Sequence, residues 1–261
     1  WNAKSIAAVA LGASFSSLQV APLVLLTIEA WRFRHMPQMT IDRLGTQTGV
    51  KATFGLSEAF LFLLGVNFWN FVGAGVMGFM INLPIVNYYE HGTYLTVAHG
   101  HAALFGVYGN LAIAAMIFCG RWLIGPDRWS PNLLKSSFWL MNVGVALMVG
   151  LHMLPLGVHQ LSEVMSKGLA YGRSQAYVFS EPFQYFTWMR GIGSTLFMFG
   201  MFALVYFMVS RWFSLKAAQT PEEQFVIPPS VLAIAEPHGN GNGRHGTPDR
   251  EREKELVELE L

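Results

Sequence analysis

The stretch that decides the fold is "LSEAFLFLLGVNFWNFVGAGVMGFMINL", which covers residues 56–83. Its one charged residue, Glu58, lies near the start, and no other ionisable side chain interrupts the apolar run. A helix needs about 20 consecutive, mainly apolar residues to cross the hydrocarbon core of a bilayer. This stretch is therefore predicted to form a helix that spans a membrane.

Four further apolar stretches of similar length accompany it. Of the 261 residues, 52% are hydrophobic and only 13% are charged, and the mean hydropathy is +0.37. This balance is typical of a chain that resides in a bilayer. The predicted fold class is all-α, a polytopic bundle of five transmembrane helices. The predicted spans are 5–31, 53–83, 95–124, 133–161 and 185–213.

Charge and cysteine content exclude several classes of protein. The net charge of +1 argues against a nucleic-acid partner, and the single cysteine, Cys119, excludes a disulfide or cysteine–metal framework within the chain. The chain opens with "WNAKSIAAVALGASF" and shows no cleavable signal peptide. Because it lacks an initiator methionine, we expect it to be a piece of a larger protein.

Basic residues indicate the orientation of the bundle. The loop "PIVNYYEHGT" (84–93) has no Lys or Arg, whereas the loops before and after it and the C-terminal flank are basic. By the positive-inside rule, those basic segments face the cytoplasm and the 84–93 loop faces outward. Residues 1–213 are predicted to form the transmembrane domain. Residues 214–261, rich in Pro and Gly and then charged, are predicted to form a flexible cytoplasmic tail.

Two histidines occur in the apolar stretch "GTYLTVAHGHAALFGVYG" (92–109), where only Gly100 separates His99 from His101. Residues two apart on a helix point about 200° apart, so the two imidazoles cannot chelate one ion but can serve two centres. Ionisable groups inside a membrane are usually functional, and imidazole is an axial ligand of haem iron. The many small residues nearby would admit either flat macrocycles or closely packed neighbouring helices.

This stretch resembles the haem-ligand helix of the nitric oxide reductases, a branch of the haem–copper oxidase superfamily. "FWNFVGAGVMGFMINLPIVNYY", "FSSLQVAPLVLLTIEAWRFRH" and "FTWMRGIGSTLFMFG" fit the same family, best its quinol-dependent single-chain type. The resemblance extends to about Phe213. It implies five spans of the subunit I fold, located in the bacterial cytoplasmic membrane.

The resemblance also implies cofactors and partners. His99 would be the proximal ligand of a high-spin haem b, and His101 an axial ligand of a low-spin haem b. The non-haem iron of the family would take its ligands from helices outside this chain, so that the remaining N-terminal helices of the same protein would be its partners. Nitric oxide would be the substrate.

Two residues depart from the reductase pattern. Gln19 stands where the reductases usually carry a glutamate, and Ser194 stands where the quinol-type enzymes usually carry an aspartate of the quinol site. Neither side chain titrates in the useful range, so quinol binding is in doubt. Reduction of nitric oxide consumes electrons and protons, whereas its dismutation to dinitrogen and oxygen needs neither in net. The proposed nitric oxide dismutases resemble quinol-type reductases and lack the quinol-site residues.

The favoured interpretation is therefore an enzyme of the dismutase type. The alternatives are a reductase that produces nitrous oxide and a non-catalytic membrane electron carrier with two haems. A transporter or channel without haem is a third class, against which the His99–Gly100–His101 pattern argues.

Four further ionisable positions have more than one interpretation each. His152 and His159, in "GLHMLPLGVHQL", lie two turns apart on one face around Pro155, which should kink the helix. They would bond a backbone carbonyl that Pro155 frees, or line a haem edge or a former quinol cavity. Glu58 would lie at the membrane interface or belong to a proton path. Arg190 would meet a haem propionate or extend to the interface.

Overall fold

The computed structural model describes residues 5–36, 39, 42, 56–124 and 129–212. The predicted tail, 214–261, lies outside these ranges. The described residues are helical almost throughout and contain no strand. We number the helices in chain order: α1 (Ile6–Phe33), α2 (Ser57–Asn82), α3 (Pro84–Glu90), α4 (Tyr94–Arg121), α5 (Pro131–Lys167), α6 (Gln175–Val178) and α7 (Glu181–Arg211).

Five of these helices, α1, α2, α4, α5 and α7, are long and apolar enough to cross a membrane. They match the five predicted spans, so the predicted fold class is confirmed. Among these spans, α5 (Pro131–Lys167) is longer than its predicted range of 133–161 at both ends. Pro131 begins it, because the fixed φ of proline suits the first turn of a helix, and an ion pair of 2.6 Å between Lys167 Nζ and Glu163 Oε2 supports its last turn.

The core of the bundle lies around α5, which packs along α7 and against α4 and α2. Met141 and Leu134 of α5 are fully buried there, and the rings of Phe62 and Phe138 meet edge to face at 5.1 Å. Gly193 of α7 brings two backbones together, because a Cβ atom at this position would lie 2.6 Å from the carbonyl oxygen of Gly144. This contact sets the point along α5 at which α7 crosses it.

The first helix is the least buried of the five. Only Ala13 and Ser17 of its N-terminal half are buried, and its C-terminal half has no buried residue. It packs on one side against α2 and α3, while large apolar side chains such as Phe15 and Leu25 are exposed on its surface. This helix therefore presents an extensive apolar face to its surroundings.

Three of the long helices widen locally into π-helical turns. These turns are Asn70–Met77 in α2, Leu104–Gly109 in α4 and Met148–Met153 in α5. The third ends two residues before Pro155, whose ring and missing N–H disturb the regular ladder of hydrogen bonds. The first two lie beside and directly after the His99–His101 pair. Because π-helical turns often mark functional sites, this placement supports the histidine pair as a candidate functional site.

Candidate functional site: a histidine pair on α4

His99 is half-buried between α4 and α2. Its Nδ1 lies 2.8 Å from the carbonyl oxygen of Gly73, which belongs to the π-helical turn of α2. A carbonyl oxygen only accepts hydrogen bonds, so Nδ1 must carry the proton and donate it. The other ring nitrogen, Nε2, then has a free lone pair. Metal-binding histidines are commonly oriented in this way by a backbone carbonyl.

His101 has the same arrangement in a different environment. Its Nδ1 lies 3.0 Å from the carbonyl oxygen of Val97, one turn earlier on the same helix. This contact again requires the proton on Nδ1 and leaves Nε2 as the electron-pair donor. Unlike His99, His101 is exposed at the surface of the described bundle. The two imidazoles therefore face different surroundings, as their spacing predicts.

The pair does not form part of a multidentate metal site within the described residues. No group of three or more His, Cys, Asp or Glu side chains lies close enough there to hold a metal ion. A haem iron needs only one protein ligand on each side of the macrocycle, because the porphyrin supplies the other four. Single imidazoles with a fixed Nδ1–H bond fit that requirement.

The small residues of this region serve two purposes. Ala98 and Ala102 are fully buried, and a Cβ atom at Gly73 would lie 2.7 Å from that of Ala102, so these positions bring α2 and α4 together. A side chain at Gly106 would collide with Trp69. Gly100, in contrast, has no neighbouring atom within 4 Å of an added Cβ. Helix packing explains most of the small residues, and Gly100 keeps open the surface between the two histidines.

Gln19 lies at an interruption of α1. The residue ends one helical segment and begins the next, and its backbone N–H donates to the carbonyl of Ser16. Leu23, one turn later, packs against the position of Gly75 in the π-helical turn that supplies the partner of His99. The structure therefore places Gln19 on the helix that packs against the π-helical turn of α2, with its side chain exposed.

Ser194 lies on α7 and faces α5. Its hydroxyl donates to the sulfur of Met148 at 3.3 Å, in the π-helical turn of α5. The neighbouring Gly193 makes this contact possible by bringing the two backbones together. Arg190, one turn earlier, is exposed. Ser194 thus contacts a thioether of α5.

His152 differs from the expectation that it bonds a freed backbone carbonyl. The side chain is 1% exposed, yet both ring nitrogens are buried without a hydrogen-bond partner among the described residues. Its ring meets Tyr94 edge to face at 5.2 Å. Because its nitrogens are closed off, His152 does not line an open cavity.

His159 also does not bond a backbone carbonyl. Its Nδ1 lies 3.0 Å from the hydroxyl of Tyr177, and the two rings are stacked. Tyr177 is buried and packs against Phe183 at the start of α7. Burial, followed by the charges of Glu163 and Tyr171, raises the pKa of Tyr177 to about 12. The His159–Tyr177 contact and the packing of Tyr177 on Phe183 join α5, α6 and α7 at one end of the bundle.

Glu58 is buried near the first turn of α2. Its carboxylate accepts hydrogen bonds from Ser57 Oγ at 2.8 Å and from Trp129 Nε1 at 3.2 Å, and Lys135 Nζ lies 3.9 Å away. Both Trp129 and Lys135 belong to the segment that begins α5. These contacts place Glu58 where the first turn of α2 meets the start of α5.

One polar network among the helices was not predicted. Asn142 Oδ1 accepts hydrogen bonds from Trp69 Nε1 at 2.8 Å and from Asn110 Nδ2 at 2.9 Å. The amide of Asn142 donates back to Asn110 Oδ1 at 3.2 Å. The network links α2, α4 and α5 in the buried core. A polar side chain in an apolar span signals such a bond, but the sequence does not reveal its partners.

The chain is similar to known proteins in two respects. Residues 1–196 match the family model described as "Cytochrome C and Quinol oxidase polypeptide I". The chain belongs to this family, the subunit I family of the haem–copper oxidases. It is also similar to a nitric oxide reductase subunit from Stutzerimonas stutzeri, with 32% identity over 154 residues.

That alignment covers 57% of this chain and 32% of the relative, so the chain spans about a third of the length of the curated relative it matches. The family assignment agrees with the five membrane helices and supports an oxidoreductase that uses haem and metal cofactors. The resemblance inferred from the histidine-pair segment is therefore confirmed.

Proposed function

We propose that this chain is the haem-binding part of a membrane enzyme that converts nitric oxide to dinitrogen and oxygen, a nitric oxide dismutase. The complete protein would hold two haems b and a non-haem iron, with the ligands of that iron on helices outside this chain. The observation that carries the proposal is the pair of imidazoles on α4. Each donates its Nδ1 proton to a backbone carbonyl and keeps Nε2 free for iron.

The residues of the pair fit two haems. His99 would hold the high-spin haem at the reaction site, and His101 would hold the low-spin haem on the opposite side of α4. The open surface at Gly100 leaves room for a flat macrocycle beside the helix. When bound, the haem irons supply the binding of nitric oxide and the transfer of electrons. The chain's own contribution is to fix each imidazole in one tautomer and one orientation.

The two missing carboxylates favour dismutation over reduction. Gln19 lies on the helix that packs against the π-helical turn of α2, and its amide cannot hold a transferable proton. Ser194 contacts Met148 rather than a titratable group, which argues against a site that accepts protons from quinol. Dismutation needs no net protons or electrons, so an enzyme of this type can lose both acids.

Reduction of nitric oxide to nitrous oxide is the second candidate. One observation favours it, namely that the related protein from Stutzerimonas stutzeri is named a nitric oxide reductase subunit. The lipid bilayer of the bacterial cytoplasmic membrane would surround either enzyme, with residues 214–261 on the cytoplasmic side. The exposed apolar face of α1 would contact the remaining helices of the same protein.

A product assay tests the proposed function. Membranes that contain the complete protein are supplied with isotopically labelled nitric oxide, with and without an added electron donor, and the headspace gases are followed. Dismutation predicts labelled dinitrogen together with labelled oxygen in the absence of a donor. Labelled nitrous oxide that forms only with the donor would overturn dismutation and establish the reductase. Haem spectra without any conversion of nitric oxide would indicate the electron carrier instead.

A further inference from the structure

The carboxyl group of Glu90, at the end of α3, is buried next to the first turn of α4. Glu90 is 1% exposed, and it is the most deeply buried acid in the described part of the chain. Its Oε2 accepts a hydrogen bond of 2.9 Å from Thr96 Oγ1. Its backbone carbonyl accepts the N–H of Thr93, the residue that caps α4. Glu90 is therefore tied to the helix that carries the histidine pair.

The environment of Glu90 disfavours a charged carboxylate. Glu29, Glu58 and Glu163 each lie within 4.0 Å of an Arg or Lys nitrogen. Glu90 has no such ion pair among the described residues. Burial raises the pKa of Glu90, and the hydrogen bond from Thr96 offsets this only in part.

The elements around Glu90 bring few titratable groups. The N-terminal half of α1 and the end of α2 contribute none. The end of α5 contributes His159, which pairs with Tyr177, and the Glu163–Lys167 ion pair. Beyond α5, Arg173 donates to the carbonyl of His91. The start of α4 contributes Tyr94 and His99. The raised pKa of Glu90 is attributed first to burial and then to the opposing bond from Thr96, not to a charge on these groups.

Thr96 connects Glu90 to the His99 face of α4. Residues three apart lie on the same face of a helix, with Cβ atoms about 5–6 Å apart. The hydroxyl that bonds Glu90 is therefore on the side of His99. A negative charge added about 10 Å from a carboxyl group strengthens its proton binding about tenfold at an effective dielectric constant of about 20.

We propose that Glu90 is a proton-exchanging acid that takes up a proton from the outer side when the site beside His99 gains an electron. The carboxylate binds one proton and becomes a carboxylic acid, which balances the charge of the electron that a donor delivers to the iron. Thr96 holds the carboxyl in place on the His99 face. This role rests on the haem site proposed above and supplies an acid in a chain that has none at positions 19 and 194.

Infrared difference spectroscopy of the complete protein, comparing chemically reduced and oxidised states, tests this role. We expect a carboxylic-acid C=O band that appears on reduction and shifts in D2O. Glu90→Gln should lack the band and take up fewer protons on reduction, although its amide oxygen still accepts the bond from Thr96. Glu163→Gln, a matched change at the same end of the bundle, should retain both signals. Thr96→Val should keep the band at a shifted frequency.

The outcomes separate this inference from the proposed function. A redox-dependent band that persists in Glu90→Gln, or no carboxylic-acid band in the wild type, would overturn the role of Glu90 whatever gases the enzyme produces. If the band depends on Glu90 but nitric oxide is not converted, the inference stands and the proposed function fails. If Glu90→Gln does not fold, Glu90→Asp, which keeps a carboxyl group, replaces it. That variant should retain a redox-dependent band at a new frequency, and an unchanged band would overturn the inference.

Discussion

At the scale of single residues, the state of the histidine pair follows from the chemistry of a carbonyl oxygen. Both Nδ1 atoms face carbonyl oxygens, so both imidazoles must donate there and both Nε2 atoms are free. The sequence predicts the two opposite directions from the spacing alone. It does not predict the tautomers, because the partner of His99 is a backbone atom of another helix, Gly73, which no local pattern reveals.

The buried phenol of Tyr177 leads to a prediction at alkaline pH. Its pKa in the folded protein is raised to about 12, above the value of about 10 expected for an unfolded chain. The stability that Tyr177 contributes is therefore complete below about pH 10 and is lost as pH rises toward 12, because the unfolded chain releases its proton first. We expect the free energy of unfolding of Tyr177→Phe to fall less steeply than that of the wild type over this range.

The measurement is chemical unfolding at a series of alkaline pH values. Phe179→Leu is the control, because Phe179 follows α6 directly and is 74% exposed, and its replacement removes no titratable group, so the alkaline slope should not change. Equal slopes for Tyr177→Phe and the wild type would show that the burial of this phenol does not govern alkaline stability.

At the scale of helices, the five spans were predictable because apolar runs of membrane length have few other solutions. The contacts between the spans were harder to predict. The spacing of Ala98, Gly100 and Ala102 indicates that another helix approaches closely, but it does not indicate which one. The structure shows that the alanines meet α2, whereas Gly100 remains open. The π-helical turns were also not predicted, since they depend on neighbouring helices as well as on the local sequence.

The interhelical amide network gives a prediction for Asn142. Replacing Asn142 by Leu would leave Trp69 Nε1 without its acceptor and Asn110 Oδ1 without its donor in the core. Each unsatisfied buried group costs about 1–3 kcal/mol, so we expect a marked loss of stability in thermal or detergent unfolding. Ser166→Ala, at an exposed position on the same helix, is the control and should unfold like the wild type. Unfolding of Asn142→Leu at the wild-type midpoint would contradict the structural importance of the network.

At the scale of the whole molecule, charge predicts the direction of the bundle in the membrane. The positions of the basic loops predict that α6 and the 84–93 loop lie outside and that the end of α1 lies inside. We test this with single cysteines at Gln175 or Met36 in a Cys119→Ser background, since both positions are exposed. A membrane-impermeant maleimide should label Gln175→Cys in spheroplasts, and Met36→Cys only after lysis.

The reverse labelling pattern would show that the bundle has the opposite orientation in the membrane. It would also place Glu90 on the cytoplasmic side and change the source of its proton, while the geometry of the histidine pair would remain as described.

The most direct test of the account is the haem state of the complete protein when each histidine of the pair is replaced. We predict by electron paramagnetic resonance that His101→Ala loses the low-spin haem signal and keeps the high-spin one, and that His99→Ala shows the opposite loss. His159→Ala, on a histidine that bonds Tyr177, should keep both signals. Two unchanged haem signals in either His101→Ala or His99→Ala would contradict the assignment of this pair as haem ligands.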